Sequence, residues 1–593
     1  MKFSVRVRGE WLQIADKSGT ATVRWLGEEA LRKYEKLEPA TYPKDPSENG
    51  PKANKYSRAI SEIRKTKGGA ILDPEDTLAD VLDDNDFVSV GEYRPMLRFV
   101  TTLEVLIACL IPTPRNQVLE SDKPNPQTDV AEIKYIPEQF ITLDGNSLTP
   151  DDLVMLGKYA YKIRISSEAE AKVREARTLV DTILEKNSVV YGITTGFGNF
   201  ARTVIGRDDL KQLQKNLIRS HAAGVGPPLS PHKTRMLLAL RINVLAKGHS
   251  GISFETLQRL VAAFNASCLS WVPEQGSVGA SGDLAPLAHL ALGLLGEGKM
   301  WSPETGWGEA QYVKTNINGT QLITALGAEA VERAEWVSRQ ADVIAAFTLD
   351  VLKGSSRAFD SDVQRLRPHV GQRKSARRLR ALLHSYTYPS LYQSHRFCNR
   401  VQDAYTLRCC PQVHGIAQDT IEFVRNIITT EMNSATDNPR KEIISAGNFH
   451  GEYPAKALDF LAIAVHELGS MSERRIERLV NPALSELPGF LTKNGGLNSG
   501  FMIAHCTAAS LVSENKVLCH PASVDSLSTS AAQEDHVSMG AFAARKALQV
   551  VQNVEHVVGI ELLAACQAME FLRPLRTTVP LEEVYRLVRR RIR

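Results

Sequence analysis

Leu458, Leu461, Val465, Leu468, Met471, Ile476 and Leu479 form an apolar stripe that runs to Asn481-Pro482. Apolar residues recurring three or four apart fall on one face of a helix. A proline removes a backbone donor, so that helix is expected to stop at Asn481. A long helix with one apolar face needs neighbours of similar length to bury it. Residues 168–186 carry a second helical pattern, and from about Leu143 onward the chain reads as mostly helical. No repeat at a fixed spacing of about 20–50 residues points to a solenoid. With 593 residues, 43% of them hydrophobic, the expected fold is mainly α, with long helices packed as a bundle. Ser472-Glu473-Arg474-Arg475 reads as the solvated face of the striped helix.

Residues 1–92 have a different texture and are expected to form a small α+β domain. Phe3, Val5 and Val7 alternate with polar residues, and Trp11, Leu12 and Ile14 follow across Gly9-Glu10, which suggests a hairpin. A helical stretch opens near Gly27, a short helix starts at Asp73-Pro74, and Phe87-Val88-Ser89-Val90 reads as a last strand. That order is compatible with a β-grasp-like unit. Residues 93–140 are a linker or insert. Its apolar run, Met96 to Ile111, is broken by Arg98 and Glu104 and falls short of the roughly 20 apolar residues a membrane span needs. Residues 141–593 are the helical domain.

A net charge of +4 on 593 residues implies no polyanionic partner. The cluster from Arg373 to Arg380 has no interleaved aromatic residues for base stacking, so a solvated helix face is preferred over nucleic-acid binding. Eight scattered cysteines without a CxxC pair, and an N-terminus with no apolar signal core, read as a reduced cytoplasmic protein with no membrane segment. Cys409, Cys410 and His414 lack zinc-ligand spacing, and no metal or nucleotide cofactor is expected.

The candidate chemistry lies in separated blocks. Gly276-Ser277-Val278-Gly279-Ala280-Ser281-Gly282-Asp283 is rich in small residues, and Asp283 is placed to open the helix that follows. Its plain reading is a loop capping that helix. Val190-Tyr191-Gly192-Ile193-Thr194-Thr195-Gly196-Phe197-Gly198 is a glycine-rich loop that either sets a phenol against a substrate or anchors itself to the surface through Tyr191 and Phe197. His221, in Ser220-His221-Ala222-Ala223-Gly224, would alone read as structural. Asn318-Gly319 would be a turn. Gln402, Tyr405 and Arg408 are spaced three apart, which puts them on one face of a helix. Gly447-Asn448-Phe449-His450-Gly451 and Gln533-Glu534-Asp535-His536 complete the set, the latter otherwise mere helix-surface polarity.

Together these blocks resemble the aromatic amino-acid ammonia-lyases, whose helical bundle is of the ammonia-lyase/fumarase type. The match lies closest to the histidine-specific members with an N-terminal extension. The resemblance implies a prosthetic group, 4-methylidene-imidazole-5-one (MIO), made from Ala280-Ser281-Gly282. The backbone nitrogen of Gly282 attacks the carbonyl carbon of Ala280, and two waters are lost, one carrying the hydroxyl of Ser281. A glycine permits the tight backbone this ring needs. It further implies Tyr191 as the base, with Tyr405 and Gln402 supporting the site. Arg408 is the bidentate partner of the substrate carboxylate, Asn318 a substrate-binding residue, and Phe449 a ring packed on the prosthetic group. His221 and Glu534 read the substrate imidazole.

The implied reaction is deamination of L-histidine to trans-urocanate and ammonia by a homotetramer with shared sites. A phenylalanine or tyrosine lyase, an aminomutase, or an inactive homologue acting through subunit association are the alternatives. Compared with the family pattern, the connections before Asn318 and between Pro439 and Ser445 are short, and relatives continue with more helix past Arg593. Lowered turnover is the expectation.

Overall fold

The computed structural model describes the backbone of residues 2–7, 10–15, 60–65, 71–72 and 87–92, and residues 139–592 except 160, 187–188, 191–192, 196–201, 280–281, 304–305, 310–318, 385–401 and 437–445. The expected helices near Gly27 and Asp73, and the apolar run 96–111, lie outside these residues. The chain divides into two units, Met1–Val105 and Leu106–Arg593.

In the first unit, strands β1 (Lys2–Val7), β2 (Glu10–Ala15), β3 (Ile60–Lys65), β4 (Ile71–Leu72) and β5 (Phe87–Glu92) form one sheet in the order β2-β1-β5-β3-β4. β1 and β2 pair antiparallel with Val5 opposite Leu12, and β1 runs parallel to β5 at the centre.

The second unit is mainly helical. Its first half holds β6 (Phe140–Leu143), α1 (Pro150–Lys158), β7 (Lys162–Ile165), α2 (Ser167–Glu185), α3 (Leu210–His221), β8 (Val225–Pro228), α4 (Pro231–Ala246) and α5 (Phe254–Asn265). Short strands β9 (Leu269–Ser270), β10 (Pro273–Gln275), β11 (Lys299–Ser302) and β12 (Gly306–Glu309) flank α6 (Leu284–Leu294). The bundle proper is α7 (Gln321–Val351), α8 (Val370–Leu383), α9 (Tyr405–Arg408), α10 (Cys410–Met432), α11 (Glu452–Val480), α12 (Met502–Leu518), α13 (Gly540–Glu570) and α14 (Val579–Arg591).

The stripe ending at Asn481-Pro482 is the inner face of α11. Its Leu458, Leu461, Val465, Leu468, Ile476 and Leu479 are buried, and the helix stops at Val480. Its most extensive packing is on α13, with α10 on another side, and α7 packs against all three. At about 1.5 Å per residue, the 31 residues of α7 or α13 span about 45 Å.

One surface expectation is overturned and a second holds only in part. Ser472, Glu473 and Arg475 are buried, and Arg474 alone of that run is exposed. Arg475 Nε and Nη2 donate to Glu561 of α13 at 2.6 and 2.9 Å, and Glu473 meets His505 of α12 at 3.1 Å. Partners on other helices hold these charges inside. Likewise, within the Arg373–Arg380 cluster, Arg378 reaches inward to the fully buried Asp342, which also bonds Ser375, His414 and Gln418. Only part of that cluster faces solvent. Buried charges of this kind persist when paired and hydrogen-bonded.

Candidate functional site

The glycine-rich segment links β10 to α6. Gly276, Gly279 and Gly282 all have positive φ, at 132°, 75° and 83°. At Gly282 the demand is twofold. Besides its left-handed backbone, it forms an isolated parallel bridge with Gly319, and a Cβ there would lie 2.5 Å from the Gly319 carbonyl oxygen. Only glycine fits that closure. The next residue, Asp283, donates its N–H to the same oxygen at 2.7 Å.

Asp283 does not cap its own helix, contrary to the sequence expectation. It occupies the position before α6 but makes no side-chain cap there. Its carboxylate instead caps α7, with Oδ2 accepting the N–H groups of Leu322 and Ile323 at 2.9 and 3.0 Å. Oδ1 accepts the Ser277 hydroxyl at 3.1 Å. The residue flanking α7, Thr320, is free for this arrangement because its own hydroxyl goes to Glu431 at 2.6 Å. Complete burial pushes the Asp283 carboxyl up to about 7, against the pull of the Ile323, Ser277 and Leu322 hydrogen bonds.

Several helix N-termini meet at this segment. The N–H of Met539, which precedes α13, donates to Val278 O at 2.9 Å, and Gly279 lies against the Ser538 hydroxyl. Ile323 of α7 packs on Gly451, which precedes α11, and on Gly540, the first residue of α13. With α6 beginning at Leu284, the N-termini of α6, α7, α11 and α13 converge near Val278, Gly279, Gly282 and Asp283. Each carries a partial positive charge of about half a unit, so the arrangement favours negative charge developing there.

The walls come from three other places. β8 pairs with β10, with Val225 opposite Gln275, and the Gly224 N–H donates to His289 Nε2 of α6 at 3.0 Å. These contacts tie the end of α3, with His221, to the glycine-rich segment. His221 Nδ1 lies 2.8 Å from Leu217 O and 3.0 Å from Ser220 Oγ, which fixes the ring and leaves Nε2 turned to the other side. Burial lowers the His289 pKa and keeps that ring neutral.

Phe449 is half-buried in the turn before α11, and its neighbour His450 donates Nε2–H to His536 O at 3.1 Å. Glu534 lies in a turn, not on a helix, and its Oε2 accepts the hydroxyls of Thr529 and Ser530 at 3.0 and 2.7 Å. Thus His221, Gly282, Phe449 and Glu534 share one end of the bundle. Tyr191, Ala280, Ser281 and Asn318 lie outside the described residues, the last beside the Gly319 that closes on Gly282.

Gln402, Tyr405 and Arg408 are elsewhere. Gln402 precedes α9, so the three do not share a helix face as the spacing suggested; the helix holds only Tyr405 to Arg408. Tyr405 is 70% exposed, and the Arg408 guanidinium sits 4.7 Å from its ring centroid with Nε bonded to Asp403 O at 3.0 Å. A cavity of about 350 Å³ beside Tyr405 is lined by Arg474, Glu477 and Arg478 of α11. Beneath it, Arg475 donates to Thr406 O at 3.4 Å. Arg475 lies near the far end of α11 from Gly451, about 36 Å away at about 1.5 Å per residue. Within one chain, α9 and the glycine-rich segment stand at opposite ends of the bundle.

Of Cys409, Cys410 and His414, the last two make hydrogen bonds within the bundle. His414 bonds Asp342 at 2.9 Å, and Cys410 Sγ reaches Thr406 O at 3.2 Å. No group of potential metal ligands occurs among the described residues.

A helical bundle whose helix N-termini enclose a Gly282–Gly319 closure defines a class. Residues 148–590 match the family of aromatic amino acid lyases, and the chain belongs to that family. Among curated proteins it is similar to the histidine ammonia-lyase of Mus musculus, 58% identical over 620 aligned positions that cover 100% of this chain and 89% of the relative. The histidine ammonia-lyase of Homo sapiens is 58% identical over 616 positions with the same coverage. Both alignments exceed the 593 residues here, so the relatives carry positions with no counterpart in this chain. Among solved structures, the histidine ammonia-lyase of Trypanosoma cruzi is 55% identical with a TM-score of 0.71, covering 76% of this chain and 89% of that one.

Proposed function

We propose that this chain is a carbon–nitrogen lyase that deaminates L-histidine to trans-urocanate and ammonia. The observation that carries the reading is the closure of Gly282 on Gly319 amid four helix N-termini. It supplies a tight left-handed backbone at the third residue of Ala280-Ser281-Gly282, and a positive field for a group that must accept electrons. These residues fit an MIO group, which supplies an electrophile that converts the substrate amine into a leaving group. The chain's own side chains do the rest. Tyr191 takes the β proton, Asn318 and Phe449 position the substrate and the prosthetic ring, and His221 Nε2 and Glu534 hold the imidazole. Arg408 grips the carboxylate, with Tyr405 stacked on its guanidinium and Gln402 beside them.

Because α9 packs beside Arg475, about 36 Å along α11 from the Gly451 end where the glycine-rich segment lies, one chain does not complete this set. The reading therefore includes a homotetramer in which α9 of one copy completes the site of another. Exposed apolar side chains on α10 and α11, among them Ile416, Phe423, Phe460 and Ile463, support such association. The N-terminal residues 1–92 form a separate β-grasp-type unit, joined by residues 93–140 to the lyase domain of 141–593. The order β2-β1-β5-β3-β4 with a parallel central pair supports that assignment. The protein is cytoplasmic in this reading; no described helix is long and apolar enough to cross a membrane.

The test is direct. Purified protein incubated with L-histidine should produce urocanate absorbance, borohydride should inactivate it, and Ser281→Ala should abolish turnover while keeping helical content. A fully active alanine variant would sink the proposal, as would equal kcat/KM for histidine and phenylalanine.

A further inference from the structure

Glu534 is held by an unusual turn. Thr529 and Glu534 exchange backbone hydrogen bonds, N to O at 2.9 Å one way and 3.3 Å the other, closing the segment into a ring. Inside it, Ser530, Ala531 and Ala532 have φ of 55°, 55° and 63°. Three successive non-glycine residues in the left-handed region are strained, and such strain persists only where surrounding contacts enforce it. The enforcing contacts are visible on both sides. Val537 N–H donates to the Ser526 hydroxyl at 2.9 Å, His450 clasps His536 O, and Met539 N–H donates to Val278 O. The turn is thus anchored to the Phe449 turn and to the glycine-rich segment. Its curl brings the hydroxyls of Thr529 and Ser530 onto one atom, Glu534 Oε2.

We propose that Thr529 and Ser530 are specificity-determining positioning residues, whose hydroxyls clamp Oε2 of Glu534 and present its carboxylate to the substrate imidazole in one orientation. The inference rests on Glu534 being the imidazole partner. A glutamate on an unclamped turn samples several rotamers, and ordering them on binding weakens affinity; a carboxylate fixed beforehand avoids that loss. The contribution concerns only substrates that hydrogen-bond to Glu534, so it sets preference rather than overall rate.

The experiment compares Thr529→Val, Ser530→Ala, their double variant, Thr529→Ser and Glu534→Gln. Each is assayed with L-histidine as substrate, L-phenylalanine as competitive inhibitor, thermal midpoint and oligomeric state. Each single removal is expected to raise the KM for histidine about three- to tenfold, the range of one hydrogen bond, with kcat less affected. The double variant should approach Glu534→Gln, Thr529→Ser should stay near wild type, and inhibition by phenylalanine should be unchanged. If Glu534→Gln loses the preference for histidine and the double variant keeps it, the clamp is disproved while the role of Glu534 stands. Equal weakening of histidine and phenylalanine would make the hydroxyls merely structural. If Glu534→Gln itself keeps the preference, the imidazole assignment fails and the clamp with it, although urocanate formation by the wild type would still stand.

Discussion

Oδ2 of Asp283 accepts the backbone N–H of Ile323 at 3.0 Å, so a residue at the head of α6 caps α7. The bond links the glycine-rich segment to the longest helices of the bundle. It also fixes Gly282 against Gly319, because Asp283 N–H is bonded to that same Gly319. One residue thereby ties the start of α6, through its backbone, to the start of α7, through its side chain.

The Asp283 carboxyl is pushed up to about 7 by burial, from an ordinary 3.8. In this range the folded chain holds a proton that the unfolded chain has released. The stabilisation is therefore complete below about pH 3.8 and lost as pH rises through about 7. Asp283→Asn should flatten this group's slope of at most about 1.4 kcal/mol per pH unit. Melting temperatures of the two proteins at acid and neutral pH check this: the gap between them must change with pH.

Gly282→Ala puts a Cβ 2.5 Å from the Gly319 carbonyl oxygen, on a backbone with φ of 83°. The bridge must open. The expected outcome is a helical, assembled protein that neither turns over histidine nor takes up borohydride at Ser281, read by mass spectrometry of the peptide. An alanine variant with normal labelling would show that the closure is dispensable.

Arg475 and Glu561 are both fully buried and joined by bonds of 2.6 and 2.9 Å. Removing either partner alone strands a charge in the core, which costs about 3–5 kcal/mol. Arg475→Met and Glu561→Gln should each lower the melting temperature sharply. The paired replacement Arg475→Met with Glu561→Leu should recover much of the loss. Additive losses in the double variant would contradict the coupling.

The sequence reads as having short connections before Asn318 and after Pro439, and the relatives' alignments exceed this chain's length. A displacement of about 1 Å at a substrate-binding residue can lower rate about 100-fold. Inserting the relatives' equivalent segments should raise kcat/KM for histidine. No gain from either insertion, singly or together, would show that the short connections suffice.

The bundle was legible because helices announce themselves locally. The stripe from Leu458 to Leu479 and its stop at Asn481-Pro482 needed only periodicity and a proline. Charges were misread wherever the partner was remote. Nothing near Arg475 in sequence signals Glu561, and nothing beside Asp283 signals Ile323, so a buried pair and a cross-cap looked like a surface and a local cap. The spacing of three puts Tyr405 and Arg408 on one face, and they do stack, but spacing could not place Gln402 ahead of the helix. Nor does any local pattern encode which end of a bundle a helix occupies. The hydroxyls on Glu534 were missed for the same reason as the cross-cap: Thr and Ser in a polar turn are common, and only the left-handed backbone sets them on one oxygen.

The length of α11 has a genetic reading. If α9 of one copy completes the site built on Gly282 of another, an allele damaged at Gly282 and an allele damaged at Arg408 injure different halves of each site. In a compound heterozygote, mixed assemblies then contain some sites that draw both sound halves, and partial activity returns. Two alleles damaged at the same end offer no such combination. The severity of a pair of variants would follow from which end of one helix each lies beside, not from how harmful either is alone.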